Sequence, residues 1–558
     1  MIKKQILILL FFLITVVITA TTHPDIQYQN GHIWYIDPNG SDAVGNGTPE
    51  NPWASLYHAC NNVKTIGHII HINAGRYIEN YQCSLSPGVS IEGEGDASTI
   101  VSHFANTGYF QCAIILKGGY NPRQHISYIK LDGDNLACYQ GIGVYQRSNV
   151  SIYGCSFKDI LYTAVRFGGA GSINNSFYLN KVENCSGGIG NGFGDQGGCL
   201  HLSGQTNFLC YDNIFTQNYR NNGLLIGDAI YGFEYIRGSK IYNNTINWVP
   251  QIDENWIFAI ELFYAEGLEI YGNIIKGDID FGKDVNYGIY DYGLYFHHNT
   301  IGWDSPINVS TPGLQLEQTA QGVIISHNTF KNIDNPIYFC QYKYPDDFVE
   351  DIWIYSNIFY NVGRSVPNNS GWAIRFESGS GDDNEDPPLY YNNLNILNNT
   401  IIAYANNPAE YGIELPTQTT LTNVMNIEVV NNIIIGFNNA CIVVKQQDND
   451  YYPAIGHFNI QTNILYNNGN NNNIQFYGVT LTNYTNDGGI KSDPLFVLYP
   501  TNLHLSSNIS VAYKTGTLVI FPYNNTDYDG LPWNNPPSIG AYEFFEDLPI
   551  EELPKSIY

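Results

Sequence analysis

The 558-residue sequence predicts an all-β solenoid with three short strands in each coil, on the basis of three observations. A short motif recurs with a period of about thirty residues, each copy alternates apolar and polar residues, and the connections between copies lack helical periodicity. A period of this length is typical of stacked structural units. Alternation with a period of two is the pattern of a half-buried strand. We therefore expect one elongated domain of about thirteen coils.

The recurring motif is apolar-x-apolar, then a polar pair that ends in asparagine, then another apolar residue. Copies occupy residues 209–215, 240–246 and 268–275. Asparagine suits this turn because it tolerates the left-handed backbone region and forms local hydrogen bonds. Equal turns in stacked coils lie about 4.8 Å apart, which predicts a ladder of side-chain amides. The asparagines lie at positions 213, 244, 273, 299, 328, 357, 399, 432 and 463.

A second short strand precedes each motif, and its alternation divides the residues into inward and outward sets. In residues 259–262, for example, Ile260 and Leu262 are expected to point into the solenoid and Glu261 to point out. Only 13% of the residues are charged, so their concentration on one face is notable. Coil by coil, the predicted outward residues are Arg166, His201, Glu261, Asp280, Gln315, Tyr338, Arg375, Glu414, Val443 and Gln475. A second outward position, two residues on, adds Lys117, Tyr145, Glu317, Glu377 and Lys445.

Composition limits the classes of partner. The sequence has 24 Lys and Arg against 51 Asp and Glu, a formal net charge of −27, which argues against a nucleic-acid or anionic-membrane partner. A hydrophobic content of 44% is sufficient for a core and argues against disorder. The ten cysteines are scattered without metal-ligand spacing, which predicts buried thiols or a few local disulfides.

Both ends of the sequence differ from the repeats. Residues 1–22 are interpreted as a signal peptide, because Lys3 and Lys4 precede an apolar run and small residues follow it. We expect the β-helix with its caps to occupy residues 23–545 and an acidic tail to occupy residues 546–558. The apolar run is too short for a membrane span, and no later stretch is long enough. We therefore expect a monomeric protein that is secreted or attached to the cell surface. We expect no membrane-spanning segment in the mature chain.

The two ends of the predicted solenoid also resemble those of a known group of proteins. Residues 34–42, 51–56 and 70–77 look like the entry, and residues 493–496 and 529–544 look like the closing segment, of secreted bacterial β-helix proteins of polysaccharide metabolism. With its repeats, the chain resembles the right-handed parallel β-helix of the pectate-lyase-like superfamily. The resemblance implies the fold rather than one activity, because the superfamily includes lyases, hydrolases and adhesins.

Three outward carboxylates are the candidate catalytic groups. On neighbouring coils, Glu261 and Asp280 have about the separation of a retaining glycosidase pair, whereas Glu261 and Glu317 approach the inverting separation. Like charges this close raise one pKa and create a general acid. The family resemblance implies a second chemistry, in which Glu261, Asp280 and Glu317 hold Ca²⁺ and Arg375 removes the proton alpha to a uronate carboxylate.

Aromatic and polar side chains near these carboxylates are the candidate sugar-binding groups. Indole rings suit the C–H faces of sugars, and polar side chains suit their hydroxyls. The alternative for each indole is a hydrophobic anchor on the flank of the solenoid, and the alternative for the row of outward residues is a solvated face. The candidates are Trp256, Trp303, Trp372, Tyr338 and Gln315, with His201 and Arg166 as distal contacts.

These observations predict the processing of an extracellular polysaccharide. We expect a lyase that cleaves a uronate-containing glycan by β-elimination in a groove along one sheet. The alternatives are a glycoside hydrolase with paired carboxylates and a non-catalytic glycan-binding or adhesive surface protein. The net charge of −27 favours a neutral glycan, or the adhesive protein, unless Ca²⁺ bridges to an acidic chain.

Overall fold

The structure is a computed structural model. It describes residues 31–108, 111–118, 122–185, 198–217, 222–226, 235–248, 258–282, 284–307, 312–340, 347–364, 371–377, 390–416, 425–445, 456–467, 473–477 and 484–545.

The described residues contain one helix, α1 (Leu56–Asn62), and 49 strands. The strands of the N-terminal half are β1 (Ile33–Ile36), β2 (Ile69–Ile72), β3 (Gly75–Glu79), β4 (Cys83–Ser84), β5 (Ser90–Ser102), β6 (Ile114–Lys117), β7 (Gln124–Asp132), β8 (Cys138–Tyr145), β9 (Val150–Tyr153), β10 (Ser156–Lys158), β11 (Ile160–Gly168), β12 (Ser172–Ile173), β13 (Ser176–Tyr178), β14 (Lys181–Glu183), β15 (Gly198–Leu202), β16 (Gln205–Thr206), β17 (Leu209–Tyr211), β18 (Ile214–Gln217), β19 (Asn222–Ile226), β20 (Ile236–Arg237), β21 (Lys240–Tyr242), β22 (Thr245–Trp248), β23 (Ile260–Leu262), β24 (Ala265–Glu266) and β25 (Leu268–Tyr271). The strands of the C-terminal half are β26 (Ile274–Lys276), β27 (Ile279–Phe281), β28 (Val285–Asn286), β29 (Leu294–His297), β30 (Thr300–Gly302), β31 (Pro312–Leu316), β32 (Ala320–Ser326), β33 (Thr329–Lys331), β34 (Asn335–Phe339), β35 (Phe348–Tyr355), β36 (Ile358–Val362), β37 (Trp372–Phe376), β38 (Tyr390–Leu397), β39 (Thr400–Ala403), β40 (Tyr411–Leu415), β41 (Met425–Val430), β42 (Ile433–Ile435), β43 (Ala440–Lys445), β44 (Gly456–Gln461), β45 (Ile464–Tyr466), β46 (Ile474–Tyr477), β47 (Tyr484–Asn486), β48 (Phe496–Leu498) and β49 (Asn502–Leu505).

The predicted fold class, an all-β parallel β-helix, is confirmed. Two parallel sheets run along the solenoid. Sheet I has one strand from each of fourteen coils, where the sequence predicted about thirteen: β4, β6, β8, β11, β15, β19, β23, β27, β31, β34, β37, β40, β43 and β46. Sheet II contains 33 strands and covers the other sides of the coils. Only the short pair β48–β49 is antiparallel among the named strand pairings of the described residues.

The core lies inside the coils, where the inward residues of both sheets meet. On β23, Ile260 and Leu262 are fully buried, as the alternation predicted. Aromatic rings also stack between coils, with Phe330 and Phe359 at 5.1 Å between ring centroids. Burying one such side chain contributes about 1.5–3 kcal/mol, so the inward residues stabilise the contact between coils.

The predicted asparagine ladder is confirmed. Asn328, for example, donates from Nδ2 to Oδ1 of Asn357 at 3.0 Å and accepts at Oδ1 from Nδ2 of Asn299 at 3.1 Å. The reason given for asparagine at this turn is wrong, however. The left-handed residue is the one before each ladder asparagine, and that residue is often not asparagine, as with His298 and His327. The ladder position selects asparagine because its amide satisfies buried groups in the two adjacent coils.

Separate segments close the two ends of the solenoid. At the N-terminal end, α1 buries Leu56, Ala59 and Cys60, and the Ser55 side chain caps it by accepting from the amide of His58. Near the C-terminal end, residues 517–528, here called the C-terminal strap, fold back over the outer face of sheet II. The Phe521 ring lies on Tyr355 at 4.7 Å between centroids.

The cysteines agree with the sequence analysis. All ten cysteines are buried free thiols, so of the two predicted alternatives, buried thiols and local disulfides, the structure has the first. No helix among the described residues is both long and apolar enough to cross a membrane.

Candidate functional site

The strand register of sheet I places the predicted outward residues on one line across successive coils. Glu261 pairs with Asp280, Asp280 with Gln315, and Gln315 with Tyr338. The line continues from Tyr338 to Arg375 and then to Glu414. We call this line, from Arg166 through His201 to Glu414, the polar column. The register therefore brings together side chains that are far apart in the sequence, and their roles remain to be argued from their contacts.

The polar column is covered, and this differs from the solvated face that was the alternative reading. Glu261 and Asp280 are each 4% exposed and Gln315 is 6% exposed. Alternation in a strand identifies the face on which a residue lies, but it carries no information about what packs over that face. The consequence is that the charges of the column sit in a medium of low polarity, where each must be paired or neutralised.

Three carboxyl groups form the acidic part of the column. Asp280 is hydrogen-bonded to Glu317, which also accepts from Nε2 of Gln315 at 2.6 Å. Burial raises the pKa of Asp280 well above its ordinary value, and the neighbouring charges of Glu317 and Glu261 raise it further. Two carboxyl groups can share a hydrogen bond only when one of them holds a proton. The raised pKa of Asp280 makes it the candidate to hold that proton.

The second carboxyl oxygen of Asp280 is available to a ligand. Oδ1 of Asp280 is buried and has no hydrogen-bond partner among the described residues. The absence of a side chain at Gly282 keeps the space beside the pair open, since a Cβ there would lie 3.3 Å from Oδ2 of Asp280 and 3.5 Å from Oε2 of Glu317. An unsatisfied buried oxygen costs about 1–3 kcal/mol, so it marks a place where a ligand hydroxyl would be favourable.

Arg375 is held in place on all sides. Its guanidinium pairs with Glu377 at 3.1 Å and with Glu414 at 3.3 Å. It also lies over the rings of Trp372 at 4.0 Å and Tyr338 at 5.2 Å. Burial alone lowers the pKa of Arg375, but Glu414 and Glu377 outweigh it, and the pKa is raised. A group that holds its proton this tightly is a poor base, which opposes the predicted proton abstraction.

Glu377 receives hydrogen bonds from both sheets. The hydroxyl of Tyr338 donates to its carboxylate, and the hydroxyl of Tyr391, on β38 of sheet II, donates to its backbone carbonyl at 2.5 Å. Burial raises the pKa of Tyr338, so this phenol remains a donor. Tyr338 therefore fixes Glu377, and Glu377 fixes Arg375.

The three predicted tryptophans have different outcomes. Trp372 lies beside the column, and its buried indole nitrogen has no hydrogen-bond partner among the described residues. For Trp303, the prediction of a sugar-binding role is wrong. It is 7% exposed and packs in the main hydrophobic core, so the alternative of a hydrophobic anchor holds and it cannot stack on a sugar. Trp256 lies outside the described residues.

His201 and Arg166 occupy the N-terminal end of the polar column. They pair with each other, and His201 pairs with Leu225 of β19, which pairs with Glu261. The sequence analysis did not include β19, which places His201 two strand spacings, about 10 Å, from Glu261. His201 is thus close enough for a contact one or two sugar units from Glu261.

The three carboxyl groups of the site are also the predicted Ca²⁺ ligands. Among the described residues, no group of three or more His, Cys, Asp or Glu side chains has an arrangement that holds a metal ion. In this arrangement Glu261, Asp280 and Glu317 do not form such a group. The prediction that they hold Ca²⁺ remains untested.

Sequence reasoning missed some members of the site. Glu377 and Glu414 were predicted at outward positions, but the sequence analysis gave them no catalytic or binding role. The signal that could have found them is their register, because both lie within one strand of Arg375. Tyr391 had no sequence signal, since it comes from a strand of the other sheet.

Comparisons with known proteins add the following. No protein-family model matches the sequence, and no characterised protein matches it in sequence. The chain is similar in structure to the catalytic domain of GH87 alpha-1,3-glucanase in complex with nigerose, with 15% identity, a TM-score of 0.39, and coverage of 82% of this chain and 69% of that chain. It is also similar to an alginate lyase from Paenibacillus sp. str. FPU-7, with 14% identity, a TM-score of 0.33, and coverage of 61% and 96%. A third similar structure is PfbA, a surface adhesin of Streptococcus pneumoniae, with 12% identity, a TM-score of 0.37, and coverage of 74% and 85%.

These similarities are too weak to decide an activity. Membership of the pectate-lyase-like superfamily remains a prediction, and the chemistry has to be argued from the polar column itself.

Proposed function

We propose that this protein hydrolyses a neutral extracellular polysaccharide and that Asp280 is the general acid. The observation that carries the proposal is the buried Asp280, whose pKa is raised by burial and by Glu317 and Glu261, and which has one oxygen without a partner among the described residues. Glycoside hydrolysis needs one protonated and one ionised carboxyl group, and the crowding of like charges supplies that difference in pKa.

The roles follow from the register. Glu261 and Asp280 lie on adjacent strands, about 4.8 Å apart, which favours a retaining mechanism. Asp280 gives its proton to the glycosidic oxygen as the bond from that oxygen to C1 breaks, and Glu261 attacks C1. Water then displaces Glu261 from C1 and returns a proton to Asp280. Glu317 stabilises the protonated form of Asp280 through their hydrogen bond.

The remaining members of the column have binding and positioning roles in this proposal. The indole N–H of Trp372 offers a donor to a sugar hydroxyl, and Gln315 and Tyr338 lie between it and Asp280. His201 and Arg166 would contact more distant sugar units. Arg375 is a positioning residue for Glu377 and Glu414. Because Asp280 is 4% exposed, a glycan reaches it only when part of the cover over this face is displaced.

The charge of the site favours a neutral substrate over a uronate. Between β23 and β40, the polar column and the second outward position beside it carry Glu261, Glu317, Glu377 and Glu414 together with the cation Arg375, and the whole sequence carries −27. The sequence analysis placed β-elimination first, but that chemistry needs a base and a cation that neutralises the uronate. The raised pKa of Arg375 opposes the first requirement.

The test is a screen of the purified protein against neutral and uronate polysaccharides. We expect new reducing ends from a neutral glycan, no ultraviolet absorbance from an unsaturated uronate, and no loss of activity with a chelator. The Asp280→Asn variant should lose at least about a hundredfold in rate. Its matched control is Glu428→Gln, a half-buried carboxylate on sheet II that accepts from Asn459.

Each contrary outcome has a defined meaning. Unsaturated products that require Ca²⁺ would replace hydrolysis by the lyase reaction. Binding without turnover of any glycan would establish the non-catalytic glycan-binding protein. Full hydrolysis by Asp280→Asn would remove Asp280 from the mechanism.

A further inference from the structure

A second regular column lies on the outer face of sheet II, away from the polar column. It consists of Tyr153, Tyr178, Tyr211, Tyr242 and Tyr271, one from each of five successive coils, and we call it the tyrosine column. Neighbouring rings stack with centroids 4.7–4.9 Å apart and planes within 2–7° of each other. The faces of the rings are covered by the neighbouring rings, and all five side chains are half-buried. The edges of the rings therefore form the surface.

The same column continues toward the C-terminus, where protein covers it. The register runs from Tyr271 to His297 and Ser326, and then to Tyr355, Leu397 and Val430. The last three are buried in a cluster with Phe521 of the C-terminal strap. The tip of the strap reaches the neighbouring residue Tyr295, whose hydroxyl accepts from Asn524 at 2.8 Å. The tyrosine column begins where the strap ends.

The chemistry of the column changes at that boundary. Where the strap covers sheet II, the column contains apolar Leu397 and Val430. Where it is open, five tyrosines in a row present phenol groups. In the adjacent outward column, four of the five residues in the open part are polar (Ser151, Ser176, Lys240 and Glu269, with Leu209), whereas Tyr295, Ile324, Trp353 and Asn395 follow under or beside the strap. The open part therefore has the composition for a hydrated partner rather than for a second protein segment.

Apolar side chains border the open part on its other side. Leu179 and Ile214 are each 45% exposed and Ile274 is 43% exposed. Burial raises the pKa of Tyr211 to about 12, and it raises the pKa of Tyr271 as well, so these phenols stay neutral and can both donate and accept. A surface of phenol groups beside exposed aliphatic groups matches a sugar chain, which offers hydroxyl edges and C–H faces.

We propose that the tyrosine column is a surface binding site for a linear neutral polysaccharide, separate from the polar column. The stacked coils present one phenol for each step of 4.7–4.9 Å, close to the advance of one sugar unit in an extended glycan. The five phenols thus engage consecutive sugars. Beside them Lys240 pairs with Glu269 at 2.6 Å, and the carboxylate of Asp212 lies near Tyr211, so the surface has no excess of positive charge that would favour an acidic chain. The site would hold a long substrate on the outside of the solenoid while another stretch of it enters the polar column.

The experiment is affinity electrophoresis in native gels that contain a neutral polysaccharide (xylan, mannan or laminarin) or an acidic one (polygalacturonate or alginate). The Asp280→Asn protein is the parent, so that turnover does not interfere. In this background, the triple change Tyr178→Phe, Tyr211→Phe and Tyr242→Phe removes three hydroxyls and keeps the stacked rings. We expect at least one neutral polysaccharide to retard the parent and the triple variant to lose about tenfold or more in affinity.

The matched control changes Tyr57→Phe and Tyr81→Phe, two exposed tyrosines at the N-terminal cap. It should bind as the parent does. Equal retardation of the triple variant and the parent would overturn the proposal, as would retardation by the acidic gels alone. Sedimentation as a dimer that the triple variant abolishes would assign the surface to a second copy of this chain instead.

This proposal and the proposed function can fail separately. Hydrolysis of short soluble oligosaccharides depends on the polar column, so the triple change in an otherwise wild-type chain should leave that rate unchanged. Retardation that the triple change abolishes, in a protein that hydrolyses nothing, would keep the surface site and remove the hydrolase.

Discussion

The asparagine ladder and the polar column are both rows of buried polar side chains stacked from coil to coil, yet they have opposite electrostatic character. In the ladder, Asn328 is neutral and its amide is satisfied by Asn299, Asn357 and backbone carbonyls. In the column, Asp280 is crowded by two other carboxyl groups and leaves one oxygen without a partner. Burial and regular stacking alone therefore do not distinguish a structural row from a functional one. The two rows differ in the crowding of carboxyl groups around Asp280 and in its oxygen without a partner.

The largest loss of stability is expected when the cation of the polar column, Arg375, is removed. Arg375→Ala leaves Glu377 and Glu414 as buried carboxylates without their cation, which should cost about 3–5 kcal/mol of the free energy of unfolding. The sequence analysis, which placed Arg375 on an open face, implies an intact fold for this variant. Denaturant unfolding measures the difference.

The control for Arg375 is an exposed ion pair. Lys276→Ala removes the partner of the exposed Asp304, with which it pairs at 2.7 Å, and should cost less than about 1 kcal/mol. Equal losses for the two variants would mean that the pairing of Arg375 contributes no more than a surface pair.

An intermediate effect is expected in the ladder. Asn328→Ala removes three donated hydrogen bonds and leaves the amide groups of Asn299 without their acceptor, which should cost about 2–3 kcal/mol. Activity per folded molecule should not change. Asn459→Ala, a half-buried residue on the outer face with one hydrogen bond to Glu428, is the control and should cost less than about 1 kcal/mol. A ladder variant as mild as this control would show that the amide row contributes little.

The smallest change in the free energy of unfolding is expected to be an increase. Asp280→Asn keeps the shape of the side chain and removes a crowded carboxyl group, so the free energy of unfolding should rise by about 1 kcal/mol while hydrolysis is lost. Thermal unfolding beside the activity assay checks both. A destabilised Asp280→Asn protein would mean that Asp280 contributes to structure in the same way as the ladder.

The sequence was informative where one local rule repeats. Period and alternation predicted the coils, the ladder and the line from Arg166 to Glu414, because every coil obeys the same spacing. It was uninformative where distant segments meet. Nothing local indicated that Trp303 packs in the core, or that Tyr391 reaches Glu377 from the other sheet. The burial of the polar column also depends on such long-range packing, and so do the pKa of Asp280 and the fixed position of Arg375.

The central claim is that Asp280 is a protonated acid in the resting protein. The most direct measurement is the infrared difference spectrum between the wild-type protein and Asp280→Asn, followed as a function of pH. A carbonyl band of a protonated carboxyl group should be present at neutral pH in the wild type, absent in the variant, and lost only at a pH well above the ordinary range of aspartate. Identical spectra at neutral pH, or a band that disappears near the ordinary pKa of aspartate, would contradict the claim.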